Sequence, residues 1–195
     1  MSPKLRTLLQ ATAVSALIGS AGAVASFPAV SAEMTVEVGG APMYPSKTIV
    51  ENAVNSKDHT TLVAAVKAAG LVDTLQSAGP FTVFAPVNAA FEKLPAGTVD
   101  MLLKPENKDK LVAVLTYHVL PGKFSAEQIM ADITKMGGKA TYKTVEGDSL
   151  TFSMKDGAVW VWDESGNSAK VTIADVNQSN GVIHVIDTVL LPKMG

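Results

Sequence analysis

The 195-residue chain contains no cysteine. That excludes a disulfide framework, a thiol nucleophile and an acylated lipoprotein cysteine. Stability must come from burial, which a domain of roughly 150 residues can supply. Charge is also scarce: charged residues make up 17% of the chain against 47% apolar. With 16 Lys plus Arg and 18 Asp plus Glu, no basic excess offers a footprint for nucleic acid or anionic lipid. The three histidines, His59, His118 and His184, are far apart and show no His-x-x-x-His or His-Glu-x-x-His spacing. No metal site is expected, and no cofactor. A triad drawn from Ser153, His118 and Asp187 has no Gly-x-Ser-x-Gly to support it. The glycine pairs Gly39-Gly40 and Gly137-Gly138 stand alone, without a phosphate loop or dinucleotide fingerprint. These absences point away from an enzyme.

What is present begins at the N-terminus. Lys4 and Arg6 precede an uncharged run from Leu8 to Ala25, rich in Ala, Leu and Val. Ala23-Val24-Ala25 and Val30-Ser31-Ala32 both fit a small-x-small cleavage pattern. Residues 1–32 thus read as a secretory signal peptide, with cleavage preferred after Ala32 because Phe27 and Pro28 crowd the first site. The other reading is a membrane anchor, but the run is short for a span and contains much Ala, Ser, Thr and Gly. Removing residues 1–32 takes two positive charges and no negative ones, moving the formal net charge from −2 to −4. Residues 33–46, with Gly39, Gly40, Pro42 and Pro45, read as a lead-in segment without periodicity.

The body changes character halfway. Ile49, Val50, Ala53 and Val54 recur at helical spacing behind Ser46 as cap. Leu62, Val63, Val66 and Ala69 form the next apolar face, with Asp58-His59-Thr60 at its entrance and Gly70 as its stop. Leu111, Val114, Leu115 and His118 continue a stripe at i, i+3, i+4 and i+7. From Thr141 the period becomes that of strands: Thr141–Thr144, Leu150–Met154, Val159–Trp162, Val171–Ala174 and Val182–Ile186. Asp156-Gly157 is a hairpin turn between two of them. The fold class is α+β, helices first and a mostly antiparallel sheet after. Trp160 and Trp162 share one strand face. They read either as cross-strand packing or as an aromatic contact for sugars or a partner surface. The methionines, Met101, Met130 and Met136 among them, read as gap-filling core or surface residues and not as a copper site.

Three ordered stretches carry a more specific signal. Phe81-Thr82-Val83-Phe84-Ala85-Pro86-Val87-Asn88-Ala89-Ala90-Phe91 is a strand running into a helix, with Asn88 expected to cap that helix. Tyr117-His118-Val119-Leu120-Pro121-Gly122 follows, then Asn180-Gly181-Val182-Ile183-His184-Val185-Ile186-Asp187 through Leu190-Leu191-Pro192. Together they resemble the signatures of the fasciclin (FAS1) domain, over about residues 47–193. One departure is Val87, where the family usually has Thr or Ser.

The resemblance implies a wedge of two mostly antiparallel β-sheets, a β-sandwich, with several short helices packed against it. It also implies a secreted, non-catalytic adhesion module whose partner is a protein or polysaccharide at the cell surface or matrix, in periplasm or medium. No nucleic acid and no membrane span after cleavage are expected. The alternative is a secreted or periplasmic small-ligand-binding protein or hydrolase whose site is formed by distant residues. Tyr117 and His118 are the candidate binding residues, and Asn88 and His118 the candidate structural ones. Polar groups in such apolar company need partners, so a hydrogen bond from the His118 ring to the Asn88 side chain is expected. The mature protein is expected to begin at or near Glu33, which N-terminal sequencing of protein from periplasm or medium checks; an intact Met1 chain in the membrane fraction reverses the reading toward an anchor.

Overall fold

The computed structural model describes residues 35–193; the signal run and both cleavage patterns lie outside them. Gly39 and Gly40 make the first turn, both at positive φ (61° and 72°), a conformation that glycine adopts without steric cost. They join β1 (Val36–Val38) to β2 (Ala41–Met43) as a tight antiparallel hairpin. Val38 and Met43 are buried in the core, so the described part of the lead-in segment is an integral element. The glycine pair was the signal for it.

Seven short helices follow or interrupt the strands: α1 (Ile49–Ala53), α2 (Thr60–Ala69), α3 (Val72–Gln76), α4 (Asn88–Glu92), α5 (Thr98–Leu102), α6 (Lys108–Tyr117) and α7 (Ala126–Lys135). Thr48, not Ser46, begins α1, through a capping box. The Glu51 N–H donates to Thr48 Oγ1 (3.3 Å) and the Thr48 N–H donates to Glu51 Oε2 (2.8 Å). Two otherwise orphaned donors are satisfied by one pair of side chains. Gly70, at φ 73°, closes α2 as expected, because only a left-handed residue turns the chain there cheaply. Leu111, Val114 and Leu115 of α6 are buried, as the stripe requires.

The sheet has seven strands in the order β4-β3-β9-β8-β7-β6-β5, with β3 (Phe81–Pro86), β4 (Val119–Pro121), β5 (Lys139–Lys143), β6 (Ser149–Lys155), β7 (Ala158–Trp162), β8 (Ser168–Gln178) and β9 (Gly181–Ile186). Every pairing is antiparallel except β3 with β9. The two expected sheets are halves of one sheet that share β8. The first three residues of β8 pair with β7, and the rest pairs with β9 across two register shifts between Val171 and Val176. Such bulges bend a strand and increase its twist. The bend carries the two ends of the sheet back together, where the Val145 N–H donates to the Val119 carbonyl (2.8 Å). The arrangement is barrel-like and not a β-sandwich. One apolar core lies beneath α1–α6 against β3 and β9; a second, around Phe84, Tyr117, Phe152 and Ile129, lies between the sheet and α7.

The strand-helix corner after β3 departs from expectation. Val87, not Asn88, is the cap residue of α4; its backbone is extended (φ −72°, ψ 163°), and no side chain caps the helix there. Asn88 is already inside the helix and its amide faces elsewhere. The corner therefore has cap geometry without a cap oxygen. Val87→Thr keeps the branched shape and supplies one, so it is expected to raise stability by about 0.5–1 kcal/mol. A denaturant midpoint shifted upward at constant slope checks this.

Candidate functional site

The three signature stretches meet in the sheet. β3 lies between β4, which begins one residue after His118, and β9. Phe81 stands opposite both Pro121 and Gly181, and the Phe84 N–H donates to the His118 carbonyl (2.9 Å). The expected packing of these stretches side by side is present in the backbone. The expected side-chain bond between His118 and Asn88 is not.

His118 uses both ring nitrogens on backbone. Nδ1 donates to the Val114 carbonyl (2.8 Å) and Nε2 accepts from the Leu190 N–H (3.1 Å). These partners fix one neutral tautomer, because a carbonyl needs a donor and an amide an acceptor. The ring thus ties α6 to the C-terminal Val189–Leu191 segment. Burial holds its pKa down at about 4. Beside it, the Asp163 carboxylate accepts from the Leu191 N–H (3.2 Å), Ser165 N–H and Asn167 N–H. Tyr117 is fully buried; its hydroxyl donates to the Ser149 carbonyl (3.0 Å) and accepts from the Glu164 N–H (3.4 Å). Burial raises that phenol to about 12. Neither Tyr117 nor His118 reaches the surface, so the structure does not present them to a partner.

Asn88 serves a different helix from its own. Its Oδ1 accepts from the Thr61 N–H (3.0 Å) and Thr60 hydroxyl (3.2 Å) at the start of α2, and its Nδ2 donates to the Lys57 carbonyl (2.8 Å). A cap supplied from 27 residues away leaves no local pattern in sequence.

The role of Asn180 is not legible in its sequence neighbourhood. Its Oδ1 accepts from the Ile49 N–H (3.0 Å), and its Nδ2 donates to the Leu75 (2.7 Å) and Ser77 (3.0 Å) carbonyls. One buried amide thereby holds the start of α1 and the end of α3. His184 donates from Nε2 to the Phe124 carbonyl (2.8 Å) and accepts at Nδ1 from the Asp175 N–H (3.3 Å). The carboxylate of Asp175 in turn accepts from the Ala126 N–H (2.8 Å) at the start of α7.

His59 occupies the cap position at the entrance of α2, but its side chain makes no capping bond; it is buried, with Nδ1 on Ser56 Oγ (2.9 Å). Its Nε2 is the one buried side-chain nitrogen without a hydrogen bond among the described residues. Burial lowers its pKa, with the Ala85 carbonyl and Asp58 acting the other way. No group of three or more His, Asp or Glu that could hold a metal occurs among the described residues. No helix there is long and apolar enough to cross a membrane.

Two further features remain. A cavity of about 40 Å³ lies among α1, α2, α3, α6 and β3, with Lys67 and His118 the polar residues in its otherwise apolar wall. On the outside of the sheet, Trp160 and Trp162 are half-buried, and their cross-strand neighbours are Ser153, Lys170, Thr151 and Ser168. All four neighbours are polar, and Trp162 meets one of them across the strands through its Nε1–Ser153 Oγ bond (2.8 Å).

The buried histidines make stability depend on pH. The unfolded chain protonates its imidazoles below pH 6.5, whereas folded His118 resists until about 4. The unfolded state therefore binds more protons as pH falls, and stability present above 6.5 is lost between 6.5 and 4. For His118 the loss is about 3 kcal/mol; His59 and His184, also lowered by burial, add in the same direction. Unfolding free energy is expected to fall over this window. In His118→Gln the fall should be shallower, even though the variant starts less stable at pH 7. An equal slope in both proteins would remove His118 as a contributor.

Comparison with known proteins agrees with this geometry. The fasciclin domain profile matches residues 57–192. Protein sll1483 from Synechocystis is 48% identical over 97% of this chain and 100% of its own length. The cell surface glycolipoprotein MPB83 from Mycobacterium bovis is 41% identical over 63% of this chain and 48% of its own. Among solved structures, the FAS1 domain pair of the insect cell adhesion molecule Fasciclin I superposes with a TM-score of 0.67 at 20% identity, covering 76% of this chain and 52% of that one. The chain belongs to the fasciclin domain family.

Proposed function

We propose that this chain is an exported, non-catalytic adhesion module acting at the cell surface or matrix, in the periplasm or the medium, with residues 1–32 as its signal peptide. The observation that carries the reading is where the polar signature residues go. His118, Tyr117, His184 and Asn88 spend their hydrogen bonds on backbone and helix ends. Asn88 and His118 are thus structural in this proposal, and contact with a partner falls to the outer surface. Related proteins named as a cell surface glycolipoprotein and a cell adhesion molecule support the setting.

A second reading, a small-ligand-binding protein, is favoured by the apolar cavity. Its volume of about 40 Å³ suits a short apolar group or a solvent molecule. The His118 ring in its wall has no free nitrogen to orient a ligand. The adhesion reading is therefore preferred.

The test is capture of envelope, matrix and cytosolic fractions on immobilised residues 33–195. Saturable retention from envelope or matrix is expected. Equal retention from all three fractions, or none, would overturn the adhesion reading. A melting temperature raised by short-chain fatty acids would support the second reading instead.

A further inference from the structure

The register of β5–β8 composes a surface that no single strand reveals. On its outer side, one row across the sheet reads Lys139, Ser153, Trp160, Lys170, and the next reads Thr141, Thr151, Trp162, Ser168. Lys143 stands beside Ser149 beyond the second row, and Lys155 beside Ala158 beyond the first. Lys139, Lys143, Lys155 and Lys170 are exposed. Among the described residues none of them enters an ion pair; the lysines that do there are Lys93, Lys104 and Lys135. The four strands hold a single carboxylate, Asp175, and it is bonded to the start of α7. Asp156 and Glu164 lie in the turns at the strand ends, and the Glu164 carboxylate accepts from the Ser149 N–H (3.2 Å).

The indoles are held in place. Trp162 Nε1 donates to Ser153 Oγ (2.8 Å), Trp160 Nε1 donates to the Lys155 carbonyl (3.2 Å), and the Lys155 ammonium sits 5.1 Å from the Trp160 ring centroid. Two fixed aromatic plates about 7 Å apart along one strand, flanked by hydroxyls, offer an apolar surface and hydrogen-bonding groups together. Lys139 and Lys170 bracket Trp160 across three strand spacings, about 14 Å.

We propose that this face binds an anionic polysaccharide, a glycan carrying carboxylate or sulfate groups. The proposal rests on the adhesion reading and names its partner class. Sugar rings present C–H faces to aromatic plates and hydroxyls to Ser and Thr, while the anionic groups meet the four lysines. The acidic net charge of the domain does not oppose this. Charges farther off than about 8 Å are largely screened at physiological salt; of the carboxylates nearer the face, Asp187 accepts from the Lys170 N–H (2.9 Å) and is paired with Lys93 (3.8 Å), and Asp156 and Glu164 stand at the strand ends.

Both tryptophans of the chain lie on this face, so tryptophan emission reports it alone. Alginate, a polyuronate, dextran sulfate and neutral dextran are titrated against residues 33–195. A saturable emission change with either polyanion and none with neutral dextran is expected, weakening about tenfold between 50 and 500 mM NaCl. Response to alginate assigns the ligand charge to carboxylate, and response to dextran sulfate assigns it to sulfate. The double variant Lys139→Glu/Lys170→Glu should bind at least about tenfold more weakly with an unchanged melting temperature. Trp160→Ala should lose retention on alginate beads.

No response to either polyanion, or equal binding by the double variant, would overturn the proposal. So would tighter binding to anionic phospholipid vesicles than to the glycans. Retention of the double variant on envelope fractions at the parent's level would move adhesion to another face. Loss of envelope retention by the parent itself would instead sink the adhesion reading.

Discussion

The parallel pairing of β3 with β9 is the contact on which the rest of the molecule depends. It places Phe81 against Gly181 and Pro86 against Ile186. Gly181 is required by that closeness, since a Cβ there would lie 2.1 Å from the Phe81 carbonyl oxygen. Once the pair is formed, β4 adds on one side and β8 on the other. The polar side chains then find their partners. Asn180, just before β9, reaches α1 and α3. His118, just before β4, reaches the segment after β9. Each leaves an expensive orphan if the strands are not in place, because a buried unpaired polar group costs about 1–3 kcal/mol. The pairing and the polar ties are therefore one cooperative unit.

Much of the fold was legible because it rests on local rules. Gly70 stops α2, the α6 stripe is buried, and the strand period from Thr141 onward appears as β5–β9. One departure is local: Thr48, not Ser46, caps α1 through the Thr48-x-x-Glu51 pattern. The others fall where partners are remote. Asn88 was assigned to its own helix, when its oxygen serves α2. Nothing in the spacing of Asn180 announces amide partners 103 to 131 residues away.

The outer face of β5–β8 shows the same limit from the other side. Tryptophans two apart were readable as neighbours on one face. Their setting was not, because Lys139, Ser153 and Lys170 enter the Trp160 row from three separate strands. Net charge, which is slightly acidic, averages such a face away. A composition argument excludes a partner only when the charges are spread evenly, and the sheet has sorted them.

The central place of β9 also bears on timing. It follows every other strand in sequence yet sits inside the sheet, between β3 and β8. A chain emerging from the ribosome can form its early helices and hairpins but cannot join its two cores until that strand arrives. Closing such a long loop before any reward is collected makes the last step slow. The nascent protein therefore remains open until synthesis of the domain is nearly finished. Until then it stays threadable, the condition that the proposed export through a narrow channel would demand.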